Sequence, residues 1–279
     1  MYFKVFKSSF LLVLLLSAQY GQAQDWEFGL MLGASNYHGD LAYNIVPGET
    51  HPAFGVHMKY NFTPIWSIRP GFMYGSISGS DANYEEYKYR NLHFKSDILE
   101  LSTVMEFNFV PFGSRILSKD FTAYAMAGIA VFYHDPKAEY KDNWHSLRKL
   151  RTEGQNSKQQ YGNIQVAIPF GGGFKYNLNK NWVVGFEVGW RKTYTDYLDD
   201  VSTLYPDLED QSSQYGSLSA ALSDRSWEVD GVGEALSLAG DERGDPALKD
   251  FYFFSNFTFT YRINPITCWP KHKRQINWR

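Results

Sequence analysis

The strongest constraint in this chain is a two-residue hydrophobic alternation sustained over stretches longer than a strand in a water-soluble sheet usually runs. Phe54, Val56, Met58, Tyr60 and Phe62 alternate with Gly55, His57, Lys59 and Asn61. Leu99, Leu101, Thr103, Met105, Phe107 and Phe109 oppose Glu100, Ser102, Val104, Glu106 and Asn108. Trp182, Val184, Phe186, Val188 and Trp190 oppose Val183, Gly185, Glu187, Gly189 and Arg191, and the residues from Phe251 to Ile263 repeat the pattern with Arg262 on the polar face. Side chains two apart share one face of a strand, so this pattern specifies sheet and excludes a helical framework. Weaker alternation near 25–36, 65–77, 120–134 and 161–177 brings the candidate strands to eight. In 120–134, Tyr124, Met126 and Phe132 fall opposite Ile129 and Val131, which requires either a bulge or aromatic groups on the inner face.

The connections decide between a soluble sandwich and a closed barrel. They run long, short, long, short, long, short, long: about 36–53, 61–64, 78–95, 110–119, 135–160, 177–180 and 196–249. In a transmembrane barrel the periplasmic turns are short and the outward loops long, whereas nothing in a sandwich puts its long loops at one end. Hydrocarbon offers the backbone no hydrogen-bond partners, so strands cross it only as a closed sheet. The fold class expected is therefore all-β, an eight-stranded antiparallel transmembrane β-barrel with long outward loops and short periplasmic turns, spanning 24–264. Aromatic residues near strand ends, such as Trp26, Phe62, Trp66, Phe109, Trp182 and Tyr261, fit the interfacial girdles of such a barrel. An eight-stranded closure leaves an interior just wide enough for side chains. Glu100, Glu106, Glu187, Arg191 and Arg262 are thus expected to fill the lumen as a polar plug of paired charges, because an unpaired charge there is costly.

The ends of the chain carry separate signals. Lys4 and Lys7, the apolar run Phe10 to Leu16 and the small residues ending at Ala23 follow the order of a secretory signal, so 1–23 is expected to be removed on export and the mature protein to lie in the outer membrane. Beyond it no apolar run is long enough for a spanning helix. A formal charge of −3 gives no basic field for nucleic acid. One cysteine excludes an internal disulfide framework or a multi-cysteine metal site. After the last strand, 265–279 forms a periplasmic tail with Cys268, Trp269, Lys271, Lys273 and Arg274 and no acidic residue. An isolated thiol in an exported chain is either buried or pairs with another chain. The basic and aromatic neighbours suit a docking segment, against the blander reading of a disordered tail drawn to anionic lipid or peptidoglycan.

Other polar groups have weaker chemistry. The longest outward connection holds fourteen acids against three bases, most simply a solvated surface loop. Asp196, Asp199 and Asp200 offer carboxylates to calcium but lack the twelve-residue loop pattern, so no metal or cofactor is assigned. His38 with Asp40, or His134 with Asp135, could activate Ser35 or Ser76 in an outer-membrane lipid hydrolase, yet no nucleophile motif supports this, and strand-end polar residues are the simpler account. A passive small porin or ligand-binding barrel is the other alternative.

Three segments carry a resemblance. Phe28-Gly29-Leu30-Met31-Leu32-Gly33-Ala34-Ser35-Asn36-Tyr37-His38-Gly39-Asp40-Leu41, Gly128-Ile129-Ala130-Val131-Phe132-Tyr133-His134-Asp135-Pro136-Lys137-Ala138, and Ile168 to Tyr176 followed by Gly189-Trp190-Arg191-Lys192-Thr193-Tyr194-Thr195-Asp196-Tyr197-Leu198-Asp199-Asp200-Val201-Ser202 resemble the PorG family, the outer-membrane barrel component of the Bacteroidota type IX secretion system. That resemblance implies a non-enzymatic barrel, without cofactor, that anchors a periplasmic ring of the lipoprotein PorK and its partner PorN to the outer membrane. It also implies that Cys268 is the candidate for a disulfide to PorK, with Trp269, Lys271, Lys273 and Arg274 beside it as partner-binding residues.

Overall fold

The computed structural model describes residues 25–113, 118–156, 158–247 and 249–263. The segments expected to be a signal, 1–23, and a periplasmic tail, 265–279, lie outside the described residues. Eight long strands form the wall: β1 (Asp25–His38), β2 (His51–Asn61), β3 (Trp66–Ser80), β4 (His93–Asn108), β5 (Phe121–Tyr133), β8 (Ile164–Asn177), β9 (Trp182–Thr193) and β10 (Phe251–Ile263). Two short strands, β6 (Lys137–Tyr140) and β7 (Asn143–Ser146), form a hairpin above it, joined to β4 where Lys137 faces Lys95. Each long strand pairs antiparallel with the next, and β1 pairs with β10 from Trp26↔Ile263 to His38↔Phe251, which closes the sheet into a barrel.

Sequence alternation translates directly into inside and outside. Leu101, Ile129 and Ile164 point outward and are 64 to 69% exposed, whereas Ile98, Glu100 and Phe132 point inward and are at most 1% exposed. The unclear stretch in β5 resolves through inner aromatics: Tyr124, Met126 and Phe132 are buried, Ile129 and Val131 face out, and its register with β4 runs without a bulge. Such a continuous apolar outer belt exceeds the few hundred Å² a protein normally shows to water, so its medium is lipid. No helix among the described residues is long and apolar enough to cross a membrane; the crossing is made by strands.

The two ends of the barrel differ. Both described chain ends, Asp25 and Ile263, share one rim with the connections 62–65, 109–120 and 178–181. Around that rim, outward aromatics pair as Trp26–Tyr60, Trp66–Phe107 and Trp182–Tyr261, with centroids 4.8 to 5.1 Å apart. The 16 residues of β4, at ~3.3 Å each, span about 50 Å, more than a tilted crossing needs, so the opposite rim stands proud of the bilayer and carries the long connections. Within β8, a Cβ on Gly171 or Gly173 would lie 2.2 Å from the carbonyl oxygens of Val188 or Phe186; these glycines permit close approach of β9.

Candidate functional site

The lumen is the first place where chemistry concentrates. Inward positions of the strands bring Glu27, Glu100, Glu106 and Glu187 together with Lys59, Arg69, Lys175, Arg191 and Arg262, all buried. From the short-turn rim, Arg262 Nε lies 2.8 Å from Glu27, whose other oxygen lies 2.8 Å from Lys59 Nζ. Glu106 then receives Lys175 at 2.8 Å and Arg69 Nε at 3.1 Å. Arg69 passes on to Glu187 at 2.7 and 3.2 Å, and Tyr124 donates its hydroxyl to the same carboxylate at 2.5 Å. Nearer the outer rim, Arg191 grips Glu100 at 2.9 and 3.1 Å, and Tyr252 donates to Glu100 at 2.9 Å. Buried charges need such geometry, since the desolvation of each is repaid only by close partners. The pairs lock strands to one another across the lumen: Arg69 on β3 reaches β9 through Glu187 and β4 through Glu106.

Apolar side chains complete the filling. Met31, Met73, Ile77, Ile98, Phe132 and Phe254 occupy the outer half of the interior in one buried cluster. A void between Met31, Arg69, Met126 and Arg191 measures about 10 Å³, room for about one water molecule.

The outer mouth is the second. The acidic connection, expected at 196–249 as a solvated surface loop, runs from 194 to 250 as a folded cap with helices Leu208–Tyr215 and Ser217–Ser223. Asp196, Asp199, Asp200, Asp224 and Asp250 turn inward, while Asp207, Glu209, Asp210, Asp230, Glu234, Asp241 and Glu242 stay exposed to solvent. Asp200 accepts from Tyr161 at 2.6 Å and from Thr152, and Asp196 accepts from Ser202 at 2.7 Å. Asp199 Oδ2 and Asp250 Oδ1 stand 2.6 and 2.7 Å from one hydroxyl, that of Tyr37 at the top of β1. A tyrosine has a single hydroxyl proton, so one of these two contacts needs a protonated carboxyl as donor. Burial holds both acids well above the usual carboxylate range, with repulsion from Asp250 adding to the rise at Asp199 and repulsion from Asp196 and Asp40 adding to that at Asp250. Burial likewise pushes Asp40 and Asp200 up to about 6.

Arginines bind the loops to each other. Arg243 donates to Glu153 at 3.1 Å and to the carbonyls of Asp200 and Ser223. Arg90 forms a two-pronged contact with Asp81 at 2.6 and 2.8 Å and reaches the carbonyls of Asp40 and Arg243, both at 2.8 Å. The cap thus joins all four outward connections. Within the cap, Asp199 meets Tyr37 at the top of β1, and the Asp245 N–H meets Asp40 just beyond it.

The remaining sequence candidates are not assembled into a catalytic group. Ser35 donates to the Ser76 carbonyl at 2.5 Å, Ser76 donates to Asp97 at 2.7 Å, and neither contacts an imidazole. His38 stacks on Phe251, and His134 stacks on Tyr161 with its Nε2 3.3 Å from the Gly162 carbonyl. Burial lowers His134 to about 4. His51 Nε2 pairs with Ser78 at 2.7 Å, with Glu49 on the serine rather than on the imidazole, and His57 Nε2 pairs with Thr260 at 3.2 Å with no hydrogen-bond partner on its Nδ1, so no acid orients either base. Among the described residues no group of three or more His, Cys, Asp or Glu side chains is arranged to hold a metal ion, and Asp196, Asp199 and Asp200 each face different partners. Cys268, Trp269, Lys271, Lys273 and Arg274 lie outside the described residues.

Against solved structures, the chain is similar to Ail, the attachment invasion locus protein of Yersinia pestis, with 10% identity over 87% of this chain and 100% of that one and a TM-score of 0.42. It is similar to OprG of Pseudomonas aeruginosa at 9% identity over 87% and 98% of the two chains, TM-score 0.42. For Neisserial surface protein A the figures are 6%, 87%, 100% and 0.40. Comparison with curated proteins gives no significant match. A family model does match residues 4–229, and the chain belongs to that family, described as a domain of unknown function, DUF6089.

Proposed function

We propose that this protein is a non-enzymatic outer-membrane anchor: a sealed barrel whose periplasmic side holds the ring of the lipoprotein PorK and its partner PorN in a type IX secretion system. The observation that carries this reading is the filling of the barrel from end to end, by ion-paired side chains below and an apolar cluster and folded cap above. Among the described residues the lumen is filled and the Ser78–His51 pair has no acid on its imidazole, so mechanical attachment is the work this reading assigns to the barrel.

Geometry supports the side on which attachment occurs. The chain leaves β10 at Ile263 on the short-turn rim, the periplasmic one in an outer-membrane barrel, so the segment bearing Cys268, Trp269, Lys271, Lys273 and Arg274 begins there. The system itself is inferred from the sequence resemblance. Non-reducing gels of native envelopes provide the test. A high-mass species containing this chain and PorK is expected, lost on reduction and absent for Cys268→Ser; the same species in that variant would overturn the linkage. Conductance in planar bilayers from the purified barrel would overturn the sealed anchor.

A further inference from the structure

A groove of about 590 Å³ opens on the outer wall just below the outward rim, between strands β8, β9 and β10 and the overhanging end of the cap. Its floor is Phe170, Trp190 and Phe251, and Ala247 overhangs it. Phe170 and Trp190 stack at 6.2 Å with their planes 21° apart, and both rings are half exposed. Two cations edge this apolar surface, Lys192 and Lys249.

Lys192 occupies an outward position of β9, two residues beyond Trp190, about 7 Å farther along the strand. Its register neighbours are Ile168 on β8 and Phe251 on β10, and among the described residues no carboxylate lies within salt-bridge distance of it. Lys249 donates to the Pro246 carbonyl at 2.6 Å and lies 3.8 Å from Asp196, which leaves ammonium donors free. Asp250, the acid at the edge of the groove, has its two oxygens engaged by the Tyr37 hydroxyl and the Leu198 N–H. The balance facing outward is positive above an apolar floor, at the level where an aromatic belt meets lipid headgroups.

We propose that this groove binds a phosphorylated lipid of the outward leaflet, with the phosphate engaged by Lys192 and Lys249 and an acyl chain lying on Phe170, Trp190 and Phe251. Charge complementarity selects an anionic headgroup over a zwitterionic one, and the groove beneath it distinguishes the site from lysines that merely reach the interface. The inference requires only a lipid-embedded barrel and is independent of the periplasmic ring.

The test reconstitutes the full chain in phosphatidylcholine bilayers doped with lipid A, extracts it in mild detergent and counts co-purifying lipid A by native mass spectrometry. Lys192→Gln combined with Lys249→Gln should lower retained lipid A about tenfold, Trp190→Ala should also lower it, and Lys149→Gln, at an exposed position of the short helix Leu147–Leu150, should leave it unchanged. Heat-modifiable gel migration checks that each barrel is folded. Equal retention by the double lysine variant, or equal loss in the Lys149 control, would overturn the proposal. Cys268→Ser should retain lipid A like the parent chain, which separates failure here from failure of the ring attachment.

Discussion

The lumen and the cap both bury acids, but where every one of the four lumen glutamates has a cation, the cap pairs Glu153 and Asp81 with arginines and leaves other acids to hydroxyl groups. Inside the barrel every glutamate of the Glu27, Glu100, Glu106 and Glu187 set touches an ammonium or guanidinium group. In the cap, Asp199 and Asp250 meet across a tyrosine hydroxyl with no cation between them, and Asp200 rests on Thr152 and Tyr161. Opposite charge ties rigid strands that cannot separate without opening the barrel. The loops, which can separate, are tied by Arg90 and Arg243 and, at Tyr37, by a shared proton. The two regions should therefore respond differently to the same kind of perturbation.

The largest effect is expected from Arg69→Ala, which strands Glu187 and Glu106 in a buried site and should cost about 3–5 kcal/mol, read as a lowered unfolding midpoint in detergent with denaturant. If the barrel tolerates this change without loss, the lumen pairs are ornamental and the contrast disappears. Arg243→Ala should act on the cap alone: loss of its contacts to Glu153 and to the Asp200 and Ser223 carbonyls should expose 194–250 to protease while heat-modifiable migration of the barrel persists.

Acidity sharpens the comparison further. Asp40 and Asp200 are pushed up to about 6 by burial in the folded cap, whereas an aspartate in an unfolded chain titrates near ~4. The folded cap consequently binds more protons, so its stability is complete below about pH 4 and falls as pH rises through about 6. Asp199 and Asp250, raised further, with Asp40 and Asp196 adding repulsion to Asp250, extend the decline to higher pH. Hydrogen exchange of the 196–203 amides, corrected for intrinsic rate, should be slower at pH 5 than at pH 8, and Asp199→Asn should flatten the difference. The smallest effect belongs to Lys88→Ala: its partner Glu85 is 91% exposed, and loss of such a solvent-screened surface pair should leave the unfolding midpoint unchanged.

Much of the barrel was legible because period two is a local property. Leu99 to Phe109 announces β4 and its inward glutamates without reference to any other part of the chain. Glu27, Lys59, Arg69 and Lys175 share the same inward parity but were not singled out as lumen charges. Arg69 precedes Pro70-Gly71 and Lys175 follows Gly171-Gly172-Gly173, and residues without apolar side chains blur the outward half of the alternation there. The cap was not legible at all as a folded unit. Its contacts join Tyr37 to Asp250 across 213 positions and Arg90 to Arg243 across 153, and no spacing rule reports such distances. An acidic composition suggested solvent, whereas hydroxyl donors and protonation made burial tolerable.

The seam of the barrel joins its first strand to its last, β1 to β10, through thirteen facing residue pairs. Until the final strand arrives, β1 and β9 present open edges, so insertion cannot finish co-synthetically one hairpin at a time. The polypeptide must reach the membrane whole and held from premature pairing, and any premature stop before Phe251 yields an edge-exposed intermediate suited to aggregation rather than a smaller working cylinder.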